Sequence, residues 1–472
     1  MLSSFKWSFC GIGGQNLLQF LVLFVLARFL DKTDFGLVGI INMILMFVNI
    51  FSLLGIAPAI VQKKTITPSH LSTGMTLSIF FGFIWSIVFF LLSEKISLFF
   101  NMPQLEALLK VIVLVFPIIG MSSVANSLLQ RELKFKLMAK IELYTYFFSY
   151  GIVGILLAYL GFGVWSLIIA QLFQSIISTV WQLILYRYAV RLGFNLDCFK
   201  DLIYFGGGFT IARISNYFAS QADNFVVGKM MNAYSLGIYS MVFKLVSTPA
   251  NLIGSVIDRV MFPSMSVLQD KKQQLDNIYY SSLNIIFLIL FPIVVFICFY
   301  GEEIINVLLG SNWQDAVVPF KILSLSIIFR TAYKISDSLA RATGKVYKRA
   351  VVQIIYAVMV FFGAVWSCQF GLVGVSISTT IAIFLNYIFM LLLSLSILNA
   401  NRKKYLILNL VFLFVGGYNV LFVWFFRKII YVDIHILNLL FGLIFLFLLN
   451  MIVYMRLFKK PIVEFLKYAK ND

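Results

Sequence analysis

Apolar residues run in blocks of about twenty along nearly the whole chain, separated by short polar segments that gather Lys and Arg. A block of that length crosses the bilayer core as one helix. The pattern predicts about fourteen spans, near 8–30, 37–61, 71–92, 105–129, 141–160, 164–186, 202–229, 234–262, 280–300, 316–340, 348–369, 372–397, 405–426 and 433–455. The connecting segments are short, so no soluble domain is expected. The N-terminal stretch MLSSFKWSFCGIGGQNLLQF lacks a small-residue cleavage site, and its span is expected to remain as an anchor.

The basic residues orient these spans. With both termini in the cytoplasm, the segments on that side hold roughly three Lys or Arg for each one opposite, as the positive-inside rule requires. The net charge of +18 is therefore mostly topological, and it makes no case for a nucleic-acid partner. Composition agrees with the span count: 61% of residues are hydrophobic and only 12% charged, about half the charge of a soluble protein.

The chain repeats itself weakly. ARFLDKTDFGLVG (27–39) resembles GKMMNAYSLGIYS (228–240) at an offset of about 201 residues, and LGFGVWS (160–166) resembles FGLVGVS (370–376) at about 210. ANSLLQRELKFKLMAK (125–140) likewise resembles KISDSLARATGKVYKRA (334–350). Each copy holds six spans. An even number keeps both copies in one orientation, so they relate by an axis along the membrane normal. The expected fold is an all-α polytopic membrane protein with two parallel six-helix lobes (1–200 and 201–400) around a central cleft. Two extra helices and a basic tail follow (401–472).

Three spans carry charge at bilayer depth, where each ion costs at least about 2.5–3.5 kcal/mol. At about 100° per residue, Arg213, Asn216, Tyr217, Ser220, Asp223 and Asn224 fall on one side of the seventh span. Lys244, Thr248, Asn251, Ser255, Asp258 and Arg259 do so on the eighth, and Arg330, Lys334, Asp337 and Arg341 form the tightest stripe on the tenth. The first-lobe counterparts Gln15, Asn16, Gln19, Ser123, Asn126 and Gln130 keep the polarity and drop the charge. One wall of the cleft is thus expected to be amide and hydroxyl, the other cationic, with five basic and three acidic in-span residues. That combination suits a ligand with an anionic end and a hydroxyl-rich body. Arg341 and Arg259 lie near the cytoplasmic ends, where snorkelling also explains them.

The stretches LARFLDKTDFGLVGI, GIAPAIVQKKTIT, LLQRELKFKLMAKIE, YLGFGVWSLIIAQL and SQADNFVVGKMMNAYSLGIYSMVFKL resemble the polysaccharide transporter, or Wzx-type, flippases. These belong to the multidrug/oligosaccharidyl-lipid/polysaccharide exporter superfamily. The resemblance covers about residues 10–400. It implies two six-helix lobes plus two variable C-terminal helices in a bacterial inner membrane. It also implies movement of an undecaprenyl-pyrophosphate-linked oligosaccharide to the outer leaflet, beside a polysaccharide polymerase and a chain-length regulator. It carries no sharp ligand motif, so site assignments rest on the stripes.

On that basis Arg213, Lys244, Arg330, Lys334, Arg341 and Arg259 are candidate pyrophosphate contacts. Gln15, Asn16, Gln19, Asn216 and Asn251 are candidate sugar contacts. Asp223, Asp258 and Asp337 either bind a coupling proton or sodium ion or only space the cations apart. No other cofactor and no resident metal is expected: Cys10, Cys198, Cys298 and Cys368 are too scattered for a metal or redox motif. A membrane polymerase or transferase would need a membrane-face histidine or long outer loops, whereas His70 and His435 fall in predicted loops as solvated side chains. A drug/cation antiporter of the same superfamily would favour acidic cleft residues over basic ones.

Overall fold

The computed structural model describes residues 2–52, 56–63, 65–186 and 191–429. The side chains of 2–12, 51–52, 203–216, 219, 255–256, 258–260, 412–413, 415, 422 and 426–429 lie outside that description. Among the described residues every regular element is helical: α1 (Leu2–Phe29), α2 (Lys32–Ser52), α3 (Ile56–Gln62), α4 (Pro68–Phe100), α5 (Gln104–Ile112), α6 (Val115–Arg131), α7 (Phe135–Tyr146), α8 (Ile155–Tyr159), α9 (Trp165–Leu185), α10 (Leu196–Met230), α11 (Ala233–Val267), α12 (Lys272–Leu308), α13 (Val317–Ser324), α14 (Ser326–Ala342), α15 (Val346–Ser367), α16 (Gly371–Leu398) and α17 (Arg402–Ile429). A lipid-exposed backbone must satisfy its own hydrogen bonds, and helices do so within one segment.

Among the described residues ten stretches are long and apolar enough to cross a membrane. One of them, Val346–Leu398, has 53 residues, far more than the ~20 a single crossing needs. It turns back at Gly371, whose φ of 70° is open to glycine at little steric cost. Of the predicted spans, thirteen fall on described helices. The last, 433–455, lies outside the described residues.

Several boundaries move. The third span is the 33-residue α4, well beyond 71–92, ending at Asn101 in the left-handed region. The fifth carries a π-helical stretch, Phe147–Gly154, between α7 and α8. The tenth is divided into α13 and α14. His70 is not a solvated loop residue. It sits in the first turn of α4, 8% exposed, with Nδ1 against Thr67 Oγ1 at 2.7 Å and Nε2 against Lys63 Nζ at 2.7 Å. An apolar-run criterion starts a helix at its first greasy residue and passes over the polar turn that caps it.

The chain divides into two compact units, Met1–Ser240 and Met241–Asp472. In the first, Ile60 of α3, Met75 of α4, Val124 of α6, Ile141 of α7 and Leu202 of α10 share one apolar core. Arg131 closes the C-terminal end of α3 by donating to the carbonyls of Ile60 at 2.8 Å and Lys63 at 2.6 Å. In the second unit, Val295, Phe296 and Tyr300 of α12 pack on Val423 of α17. At the other end of α17, Lys404 pairs with Asp276 at 2.7 Å, which also accepts from the Tyr405 hydroxyl.

Candidate functional site: a row of cations on one helix

The polar stripe of α14 contains the best-defined site geometry. Arg330, Lys334 and Arg341 share one side of the helix, and each meets a partner on α11 suited to a cation. The Arg330 guanidinium lies over the Phe243 ring, 4.4 Å from its centroid. The Lys334 ammonium donates to Asn251 Oδ1 at 3.0 Å. The Arg341 guanidinium lies 5.2 Å from the Phe262 ring centroid. Aromatic faces and an amide oxygen orient cations without neutralising them.

Gly254 makes the middle contact fit. A Cβ there would overlap Lys334 Cδ and stand 2.5 Å from its Nζ. The lysine therefore lies across α11 in the space glycine leaves.

Asp337 is the one acid of this stripe. It forms an ion pair with Arg341, 3.0 Å from its Nε, and accepts from the Arg349 guanidinium of α15. Arg341 and Arg349 thus share one carboxylate, and along α14 itself three basic residues stand against that single acid. The sequence reading passed over Arg349, because nothing in α15 alone signals that it reaches α14.

The other stripes are less complete. Arg213 and Asn216 lie on α10, and Asp258 and Arg259 on α11, with side chains outside the described residues. Lys244 lies on α11, and its side chain makes no hydrogen bond or ion pair among the described residues. Asp223 is only 2% exposed. Its carboxylate accepts from the Tyr239 hydroxyl at 2.8 Å and from the Asn224 backbone N–H at 2.9 Å. The Tyr217 hydroxyl donates to the Met43 carbonyl at 3.0 Å, tying α10 to α2. Gln15, Asn16 and Gln19 are half-buried on α1. The structure thus joins Asn251 to Lys334 and Asp337 to Arg341, and seats Asp223 in a separate contact within the first unit.

One in-span acid was missed. Glu142 lies on α7, inside the fifth predicted span, next to a polar cavity. It was detectable as a charge in an apolar run. It escaped notice because it stands alone, at the start of the predicted span, rather than in a stripe.

A family model described as "Polysaccharide biosynthesis protein" matches residues 25–318. The chain belongs to this family. It is 27% identical over 398 residues to a Klebsiella pneumoniae protein named "Uncharacterized membrane protein in cps region", covering 83% of this chain and 82% of that one. It is 26% identical over 354 residues to the lipopolysaccharide biosynthesis protein WzxC of Escherichia coli K12, covering 73% and 70%. Its fold is similar to that of the lipid II flippase MurJ in an inward closed conformation, with a TM-score of 0.77. That match covers 96% of this chain and 100% of the other at 14% identity, a level that speaks to fold alone. The Wzx-type resemblance read from the sequence is borne out. In this family member, the row of cations on α14 is the feature to explain.

Proposed function

We propose that the chain is a flippase that moves an undecaprenyl-pyrophosphate-linked oligosaccharide repeat unit from the inner to the outer leaflet of the bacterial cytoplasmic membrane. It works by alternating access, with both termini cytoplasmic, and supplies O-antigen, capsule or exopolysaccharide synthesis. The role is transport, not catalysis.

The observation that carries this reading is the excess of oriented cations on α14. Taking a pyrophosphate out of water is expensive unless fixed cations replace its hydration, and arginine suits phosphate oxygens through its planar fork of donors. Arg330 lies over an aromatic ring and Lys334 donates to an amide oxygen, contacts that orient the two cations toward an anion. The same excess disfavours the drug/cation antiporter, whose cationic cargo it would repel. Gln15, Asn16, Gln19, Asn216 and Asn251 would hydrogen-bond sugar hydroxyls, while the prenyl tail stays in lipid. Outward movement of an anion runs down a negative-inside potential, worth about 2.3 kcal/mol per charge per 100 mV.

The test is an assay for lipid-linked sugar on the inner leaflet of a deletion strain. The expected result is accumulation, relieved by the wild-type gene and not by the Arg330→Gln/Lys334→Gln double variant at equal protein level. Normal flipping by that variant would overturn the cationic site. No accumulation in the deletion strain would overturn the flippase reading itself.

A further inference from the structure

Within the first unit, α6, α7 and α9 line a half-open cavity of about 280 Å³. Its polar lining has an uneven supply of hydrogen bonds. Each hydroxyl has one proton to donate, and three lining hydroxyls have already donated theirs to helix carbonyls. Ser122 donates to Ile119 at 3.1 Å, Ser175 to Gln171 at 2.9 Å, and Thr179 to Ile118 at 3.1 Å. The Gln182 amide N–H donates to Ser178 Oγ at 3.0 Å. That leaves Gln182 Oε1 buried with no partner, on a residue only 8% exposed. An unsatisfied buried acceptor costs about 1–3 kcal/mol. Asn126, Gln174 and Ser178 add neutral donors to the lining, whereas a cation or a proton would answer both Gln182 Oε1 and a carboxylate beside it.

Glu142 completes the set. It lines the same cavity about two turns into α7, and among the described residues no basic side chain pairs with it. Of the acids proposed earlier for cation binding, Asp223 is engaged by Tyr239 and Asp337 by two arginines, while the Asp258 side chain lies outside the described residues. Among the described residues no three His, Cys, Asp or Glu side chains gather in one place. One carboxylate with several neutral oxygens balances a single positive charge, not the two of Ca²⁺ or Mg²⁺, which take more carboxylates.

We infer that this cavity is a monovalent-cation site, in which the Glu142 carboxylate holds sodium or a proton beside Gln182 Oε1 and the lone pairs of Ser122, Ser175 and Thr179. The site stands on its own geometry. That its occupancy drives transport rests on the flippase reading, and the binding test does not.

The experiment measures equilibrium binding of radioactive sodium to the purified full-length protein, with an infrared titration of protonated carboxyl groups in parallel. If the ligand is sodium, binding is saturable and is suppressed by acid. If it is a proton, sodium does not bind, and a protonated-carboxyl band appears on acidification in the wild type and is missing in Glu142→Gln. In the sodium case Glu142→Gln weakens binding by at least about tenfold, and Gln182→Leu weakens it by a smaller factor. Asp270→Asn, at an exposed acid outside both sites, leaves whichever signal is seen unchanged. Should Glu142→Gln fail to fold, Gln182→Glu, which adds a second carboxylate, is expected to tighten sodium binding or add a second carboxyl band. Sodium binding and carboxyl titration that are both the same in Glu142→Gln as in the wild type would overturn the site.

Discussion

Gly36 and Gly237 meet where α2 crosses the first turns of α11, each against the backbone of the other's helix. A Cβ on Gly36 would fall on the Ala233 carbonyl oxygen. A Cβ on Gly237 would fall on that of Lys32 and stand 3.0 Å from Gly36 N. The two contacts are equivalents under the weak repeat: an offset of about 201 residues carries Lys32 to Ala233 and Gly36 to Gly237. Equivalent patches meeting reciprocally are the mark of a two-fold contact. Because the obstructing atoms are backbone, they cannot swing aside. Gly36→Ala or Gly237→Ala is expected to cost about 3 kcal/mol or more, read as a fall in the melting temperature of the purified protein. Gly417→Ala is the control, since nothing lies within 4 Å of its added Cβ.

The buried carboxylate of Asp223 depends on its neighbour across the α10–α11 turn. Tyr239→Phe keeps the ring and removes the hydroxyl that donates at 2.8 Å. Leaving a buried charged acceptor short of a donor should destabilise the fold by about 1–3 kcal/mol. Thermal unfolding of the variant checks this, and an unchanged melting temperature would show that the contact does not hold the turn.

Lys334 should be sensitive to a residue that is not itself polar. Gly254→Leu fills the space in which the lysine lies across α11. The atoms displaced are the far end of a flexible side chain, so stability should change little. Loss of one ionic hydrogen bond to the substrate, worth about 1.5–3 kcal/mol, predicts a roughly tenfold to hundredfold rise in the substrate concentration needed for half-maximal flipping. Reconstituted flipping assays on Gly254→Ala and Gly254→Leu measure it. Equal activity in both variants and the wild type would show that the position of Lys334 is immaterial.

The Asp337 clamp makes a different prediction. Asp337→Ala removes the carboxylate that Arg341 and Arg349 share, in a place where breaking a buried pair costs about 3–5 kcal/mol. Since the two arginine side chains keep 31% and 26% of their exposure, the lower end of that range is expected. Arg349→Gln should cost less, because Arg341 still holds the acid. Comparing the two melting temperatures decides whether Asp337 is a structural pin.

The sequence by itself determined the class and where most of the apolar helices run. A bilayer demands about twenty apolar residues per crossing and sorts basic loops by side, and both demands are met by composition, which is local. The stripe on α14 was legible for the same reason, since the helical period places Arg330, Lys334, Asp337 and Arg341 on one side whatever lies opposite. What lies opposite was decided only in three dimensions. Phe243 and Phe262 read as ordinary apolar residues until α11 puts their rings under guanidinium groups. Arg349 read as a cytoplasmic rim charge until α15 brings it to Asp337. His70 read as a loop residue until Lys63 and Thr67 enclosed it. Glu142 became a candidate site only when α6 and α9 supplied its polar neighbours. A side chain's partner depends on which helices pack side by side and how each is rotated, and those are properties of the packed core rather than of any one segment.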